Sequence, residues 1–390
     1  MSERKHQHSR TLAASHAVTP LELFFDLVFV FALTQVTTLL AEDLTWSGLV
    51  RGFAVLAVIW WAWGGYAWLT NTISIDDDVA SRLVLLIAMA AMLVVGLATP
   101  TAFGAYAMLF GVSYLIVRVL HVLLYAVTTR SDPDVSRAVA RLAPGLLLGA
   151  TLILVAGFIP AGPVRGVLWA AAIAVDFVAP LFAGTRGWKV DARHFAERHS
   201  LIIIIALGES LIALGLSASG AQLSPGVIAA TALGVLVIAG MWWLYFDIVA
   251  VVAEQRLSSL TGQAQARMAR DSYTYLHLPM VIGIVLVALG LKKTLIDIES
   301  PLKIIVAVAL FGGLALYLLA HIAFRIRNVH SLNVQRLVAA IVLLALIPAG
   351  ALLPALVSLG LAAAVVVMLI CYETVRFRDA RHRIRFHRHD

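Results

Sequence analysis

Twelve continuous apolar stretches constrain this chain more than any other feature. They lie at about residues 21–41, 48–69, 80–99, 102–126, 138–159, 164–184, 199–218, 225–249, 273–291, 302–323, 334–352 and 354–373. Each approaches the roughly 20 residues an α-helix needs to cross a bilayer. The stretches are continuously apolar rather than alternating, which argues against an antiparallel barrel. Turn signals separate them: Asp76-Asp77-Asp78, Arg130-Ser131-Asp132-Pro133-Asp134, Ile159-Pro160-Ala161-Gly162-Pro163 and Glu299-Ser300-Pro301. With 61% of 390 residues hydrophobic and 13% charged, little remains for a soluble domain. The expected fold is all-α, a polytopic membrane protein of about 12 transmembrane helices.

The first stretch contains Glu22 and Asp26, unlike a secretory h-region, and reads as a retained first span. The single cysteine, Cys371, excludes an intramolecular disulfide. Orientation follows from Lys and Arg, which favour the cytoplasmic side. With the N-terminus inside, the inner segments hold 23 of the 29 basic residues and the outer segments five, Arg51, Arg165, Lys292, Lys293 and Lys303. Both ends are therefore expected in the cytoplasm. The net charge of +7 needs no nucleic acid. The arginines from Arg376 to Arg388 read as an anchor beside anionic lipid. Histidines 6, 8, 16, 382, 387 and 389 are spaced irregularly and leave metal binding open.

The halves resemble each other. Trp60-Trp61 matches Trp242-Trp243, Leu109-Phe110-Gly111 matches Leu310-Phe311-Gly312, His121 matches His321, and Arg141-Leu142 matches Arg336-Leu337. Ordered matches at similar offsets suggest a 6+6 parallel internal repeat, as in transporters whose halves are related by an axis along the membrane normal. The expected organisation is a tail at 1–20, a first six-helix half at 21–184, a linker at 185–198, a second half at 199–373 and a basic tail at 374–390.

Ionisable groups within spans are costly and mark candidate sites. Glu22 and Asp26 share a face of the first helix, with Gln35 deeper along it. In the seventh, Glu197, Arg198 and His199 lie at the inner end, and Glu209-Ser210 lie roughly 15 Å further along the axis. Arg118 and His121 in the fourth, Asp176 in the sixth and His277 in the ninth complete a candidate buried network. Structural readings stand beside this one. Glu22 follows Thr19-Pro20 and suits a helix cap, Asp26 with Arg118 suits a fold-locking pair, and the aromatics from Trp60 to Trp68 suit an interface belt and packing rather than a ligand cage. No Walker loop, Gly-x-Gly-x-x-Gly, His-Glu-x-x-His, Cys-x-x-Cys or Gly-x-Ser-x-Gly occurs. No cofactor is implied, and catalysis is the less favoured reading.

Thr19-Pro20-Leu21-Glu22-Leu23-Phe24-Phe25-Asp26-Leu27-Val28-Phe29-Val30 with Gln35, and Glu197-Arg198-His199 followed by Ala206-Leu207-Gly208-Glu209-Ser210, resemble the two signatures of the bacterial low-temperature-requirement A (LtrA) family. The resemblance spans essentially the whole chain and implies a bacterial inner-membrane protein linked to growth in the cold. Phe25-Asp26 is also similar to the Phe-Ser-Asp signature of a potassium-channel family of six-helix units, but the serine is absent and the seventh span has no counterpart. The functional expectation is a transporter or channel for a small ion or solute, with Asp26 and Glu209 carrying proton or cation binding and Arg118, His121 and Asp176 as counter-charges. A membrane-embedded enzyme acting on lipid and a structural membrane protein remain open alternatives, as does homo-oligomerisation.

Overall fold

The computed structural model describes residues 18–73, 78–379 and 381. The N-terminal tail, Asp76, Asp77 and the end of the basic tail, with all six tail histidines, lie outside these residues. Among the described residues, eleven helices are long and apolar enough to cross a membrane. In chain order they are α1 (Pro20–Glu42), α2 (Trp46–Thr72), α3 (Val79–Thr101), α4 (Ala107–Thr128), α5 (Pro133–Phe158), α6 (Pro163–Ala183), α7 (Ala192–Ser219), α8 (Pro225–Ser258), α9 (Gly262–Thr294), α10 (Ile304–Val329) and, after a shorter apolar helix α11 (Val334–Gly350), α12 (Ala355–Arg376). The fold is all-helical. A lone bridge between Pro301 and Pro354 is its one extended pairing among the described residues.

The turn residues of the sequence become helix caps. The side chains of Asp78, Asp132, Asp191 and Ser224 accept the first backbone N–H groups of α3, α5, α7 and α8, while Pro133, Pro163 and Pro225 open their helices where no N–H is needed. Thr19 and Glu22 form a reciprocal box at α1: the Glu22 N–H donates to Thr19 Oγ1 at 3.3 Å, and the Thr19 N–H donates to Glu22 Oε2 at 2.9 Å. Thr19→Ala is expected to lower stability by about 1 kcal/mol, read as the detergent-solubilised thermal midpoint; an unchanged midpoint would refute the cap's contribution.

The innermost helices are α2, α9 and α10, whose apolar lengths are mostly buried, whereas most of α6 is not. Peripheral helices turn large apolar side chains such as Phe182, Val167 and Met368 outward, as lipid contact requires. α1 packs against α2 and α3, and also against α7 and α9. The α9–α10 crossing is close: a Cβ on Gly283 would lie 2.8 Å from the Gly313 carbonyl oxygen, and one on Gly313 2.8 Å from Leu286 Cβ. Small residues let spanning helices approach in this way.

α9 begins irregularly. Ala269–Tyr275 forms a π turn, and Pro279 follows four residues after Tyr275. A proline lacks an N–H and crowds the carbonyl four residues back, so one widened turn relieves the clash. A second π turn, Val308–Gly312, lies within α10.

Candidate functional site

Two carboxylates of α1 meet one guanidinium of α7. Arg198 Nη2 donates to Asp26 Oδ1 at 3.0 Å, and Arg198 Nη1 stands 3.7 Å from Glu22 Oε1. Trp63 of α2 donates its indole N–H to Asp26 Oδ1 at 2.9 Å. His194 Nε2 pairs with Glu22 Oε2 at 3.1 Å, and Asn71 Nδ2 lies 3.1 Å from His194 Nδ1. An amide N–H can only donate, so His194 carries its proton on Nε2 and donates to Glu22. Asp26 and Arg198 are fully buried. Glu22 is thus both a cap and a buried ion-pair member.

A separate pair joins α4 and α6. Arg118 Nη2 contacts Asp176 Oδ1 at 3.0 Å, its Nη1 donates to the Trp61 carbonyl at 2.8 Å, and the Tyr114 hydroxyl donates to Asp176 Oδ2 at 3.3 Å. Asp26 and Arg118 are therefore not partners; each has its own counter-charge. His121 Nε2 pairs with the Gly65 carbonyl at 2.9 Å, and the carbonyl's acceptor role fixes the proton on Nε2.

Aromatic rings link these groups across the protein. His199 hydrogen-bonds through Nδ1 to the Phe195 carbonyl at 2.9 Å and meets Trp63, Tyr273 and His277 edge-on at ring separations of 5.1–5.3 Å. His277 stacks on Tyr273 and pairs with the Tyr245 hydroxyl at 2.8 Å. The tryptophans of α2 from Trp60 to Trp68 serve packing rather than an interface belt. Trp60 and Trp63 are fully buried, Trp60 donates to the Thr274 carbonyl at 2.8 Å, and Trp68 donates to the Thr274 hydroxyl at 2.9 Å.

Glu209 of α7 differs from the other acids. It is 2% exposed, and neither carboxylate oxygen makes a hydrogen bond of good geometry. Its polar neighbours are Thr37 on α1 and, at longer range, Lys292; the Thr37 hydroxyl already donates to the Leu33 carbonyl at 3.2 Å. Ser210 donates to the Ala206 carbonyl at 3.0 Å. Gln35 is half-buried, while Glu197 is exposed and stands outside the buried groups. The expected single network is therefore several clusters: Glu22, Asp26, His194 and Arg198; Tyr114, Arg118 and Asp176; the histidine–tyrosine rings; and Glu209.

A further buried cluster is hidden in the sequence, because its residues lie at helix ends and read as ordinary flanking charges. Arg336 grips Glu373 with two hydrogen bonds, Nε to Oε1 at 2.9 Å and Nη2 to Oε2 at 3.0 Å, and donates to the Leu244 carbonyl. Arg381 Nη1 stands 2.7 Å from Asp247 Oδ2. The clue is two acids beside strongly apolar runs, Asp247 at a break within α8 and Glu373 near the end of α12. Among the described residues, no group of three or more His, Cys, Asp or Glu side chains is arranged to hold a metal ion.

Among the described residues, eleven helices long and apolar enough to cross a membrane, packed around buried ion pairs, define a polytopic helical membrane protein. The profile of the bacterial low temperature requirement A protein (LtrA) matches residues 17–371, and the chain belongs to that family. It is 30% identical over 285 residues to an uncharacterized protein, RA0937, of Rhizobium meliloti (strain 1021), covering 69% of this chain and 67% of that protein. No solved structure matches the chain.

Proposed function

We propose that this protein carries a small cation or proton across the bacterial cytoplasmic membrane, with α1 and α7 flanking the path and Glu209 as the binding carboxylate. The observation behind this reading is the contrast among the buried acids. Asp26, Asp176 and Glu22 each face an arginine, whereas the Glu209 carboxylate has no guanidinium beside it and no well-formed hydrogen bond. A carboxylate so held in a span is costly unless it exchanges protons or cations. Asp26, Glu22, Asp176, Arg118, His121, Glu197, His199, His277, Ser210 and Gln35 then position the helices or flank the path rather than bind.

Two features support the reading. The 23-to-5 distribution of basic residues favours cytoplasmic termini. Helix neighbours also recur: α1–α2, α1–α3, α3–α4, α4–α5, α5–α6 and α2–α6 pack in the first six helices, and α7–α8, α7–α9, α9–α10, α10–α11, α11–α12 and α8–α12 pack in the second. Such recurrence is what a 6+6 repeat with a shared pathway would produce.

The test is flux into proteoliposomes under potassium, sodium and proton gradients, with the Glu209→Gln variant alongside. Wild-type flux that falls to background in the variant, with an unchanged thermal midpoint, is the expected result. Equal flux in both proteins would remove Glu209 from the mechanism, and no flux under any gradient would overturn the reading.

A further inference from the structure

Glu209 lies between two unbroken helices. α1 from Pro20 to Glu42 and α7 from Ala192 to Ser219 are continuous α-helix. Their carbonyls around Glu209 are therefore spent on N–H groups one turn further along. The hydroxyls of Thr37 and Ser210 donate to the carbonyls of Leu33 and Ala206 at 3.2 and 3.0 Å. Thr37 is flanked on its face of α1 by Leu33 and Leu40, both fully buried. Neither Glu209 oxygen is open to water. The cavities of about 60 Å³ beside Trp188 and about 340 Å³ at the ends of α8, α10 and α12, where Arg336 and Arg381 lie, do not reach it.

A sodium or potassium ion gives up its water only for a shell of several oxygens. Transporters supply them from unwound helix segments and channels from rings of carbonyls. Around Glu209 the described residues offer its own carboxylate and the Thr37 hydroxyl, and neither flanking helix has an unwound turn. A divalent ion asks for more oxygens still. A proton needs no room and no second ligand, and it removes the charge that burial penalises. The surrounding charges agree. α7 packs against α1, α2, α8 and α9. Glu22 and Asp26 of α1 and His277 of α9 meet Arg198 and His199, roughly 15 Å back along α7. No charged group of α2 or α8 acts on Glu209; Lys292 of α9 does. Lys292 is half-buried, and its ammonium rides on a flexible stem.

We propose that the occupant of the Glu209 site is a proton rather than a metal ion, and that Lys292 is the counter-charge of the carboxylate once the proton has left. This rests on Glu209 being the carrier group of the proposed function. The protonated acid is neutral and stays among the apolar side chains of α1. The proton leaves to water when the helices part, and the Lys292 ammonium then balances the carboxylate. No other bond is made or broken.

The experiment is infrared difference spectroscopy of the purified full-length protein against Glu209→Gln, titrated with pH, with flux measured on the same proteins. The expected result is a protonated-carboxyl band at neutral pH that Glu209→Gln lacks; the other buried acids are common to both proteins and cancel. In Lys292→Met the band should persist to a pH about one unit higher, because losing a nearby cation disfavours the carboxylate about tenfold. In proteoliposomes, proton flux should depend on Glu209, and wild-type sodium and potassium flux should stay at background. A missing band overturns the proton assignment. Sodium or potassium flux that depends on Glu209 also overturns it, while keeping Glu209 in a transport path. A band present without flux under any gradient removes the transport role and leaves the proton as occupant. A band whose titration is unmoved by Lys292→Met overturns the part given to the lysine.

Discussion

Arg198→Met is expected to be among the most destabilising single substitutions in this protein. It leaves Asp26 and Glu22 buried without their guanidinium, and removing one partner of a buried pair costs about 3–5 kcal/mol. Trp63 and His194 would still donate one hydrogen bond to each acid, but neither neutralises a charge as Arg198 does. The loss should be reversible by chemistry rather than by position. Asp26→Asn and Glu22→Gln together with Arg198→Met remove the charge on both sides and should recover most of the thermal midpoint measured in detergent. A single variant as stable as wild type would show that these charges are solvated, contrary to their burial.

Gly283→Leu should have a comparable effect for a steric reason. The added side chain would start 2.8 Å from the Gly313 carbonyl oxygen and 3.0 Å from the Tyr317 nitrogen. Both are backbone atoms of α10, so no rotamer change removes the clash. Overpacking commonly costs about 1–3 kcal/mol even where side chains can yield, and here two of the innermost helices must separate. The proper control is Gly215→Leu on α7, where nothing lies within 4 Å of the added carbon. Size-exclusion profiles and thermal midpoints should show the first variant aggregating and the second near wild type. Equal behaviour would mean that the α9–α10 crossing is not tight.

Hydropathy makes the helices legible because it sums over twenty residues, whereas pairing depends on single contacts that no sum records. The start of α7 shows the difference. Arg193, Glu197 and Arg198 suggest a polar linker to 198, yet the helix begins at Ala192, because Arg198 and His194 turn inward onto α1 and only Glu197 and Arg193 face outward. Asp26, Arg118, Asp176 and Glu209 are legible as buried ionisable groups. That Arg118 meets Asp176 rather than Asp26 is set by how α4 and α6 pack. Arg336 and Arg381 count as flanking positive charge in any topology rule, which hides their role inside a cavity.

The widened turn before Pro279 carries one residue more than an α-helical turn would. Drawing that residue into regular α-helix would rotate the preceding segment by about 100° relative to the rest of α9. Thr274 would swing away from α2, taking both of its indole-bound oxygens with it. Trp60 and Trp68 therefore act as two pins in one barrel, holding the helix in a single rotational register. A side chain that loosened either pin would free α9 to twist in place, a motion that needs no bending of the helix and no change in its tilt.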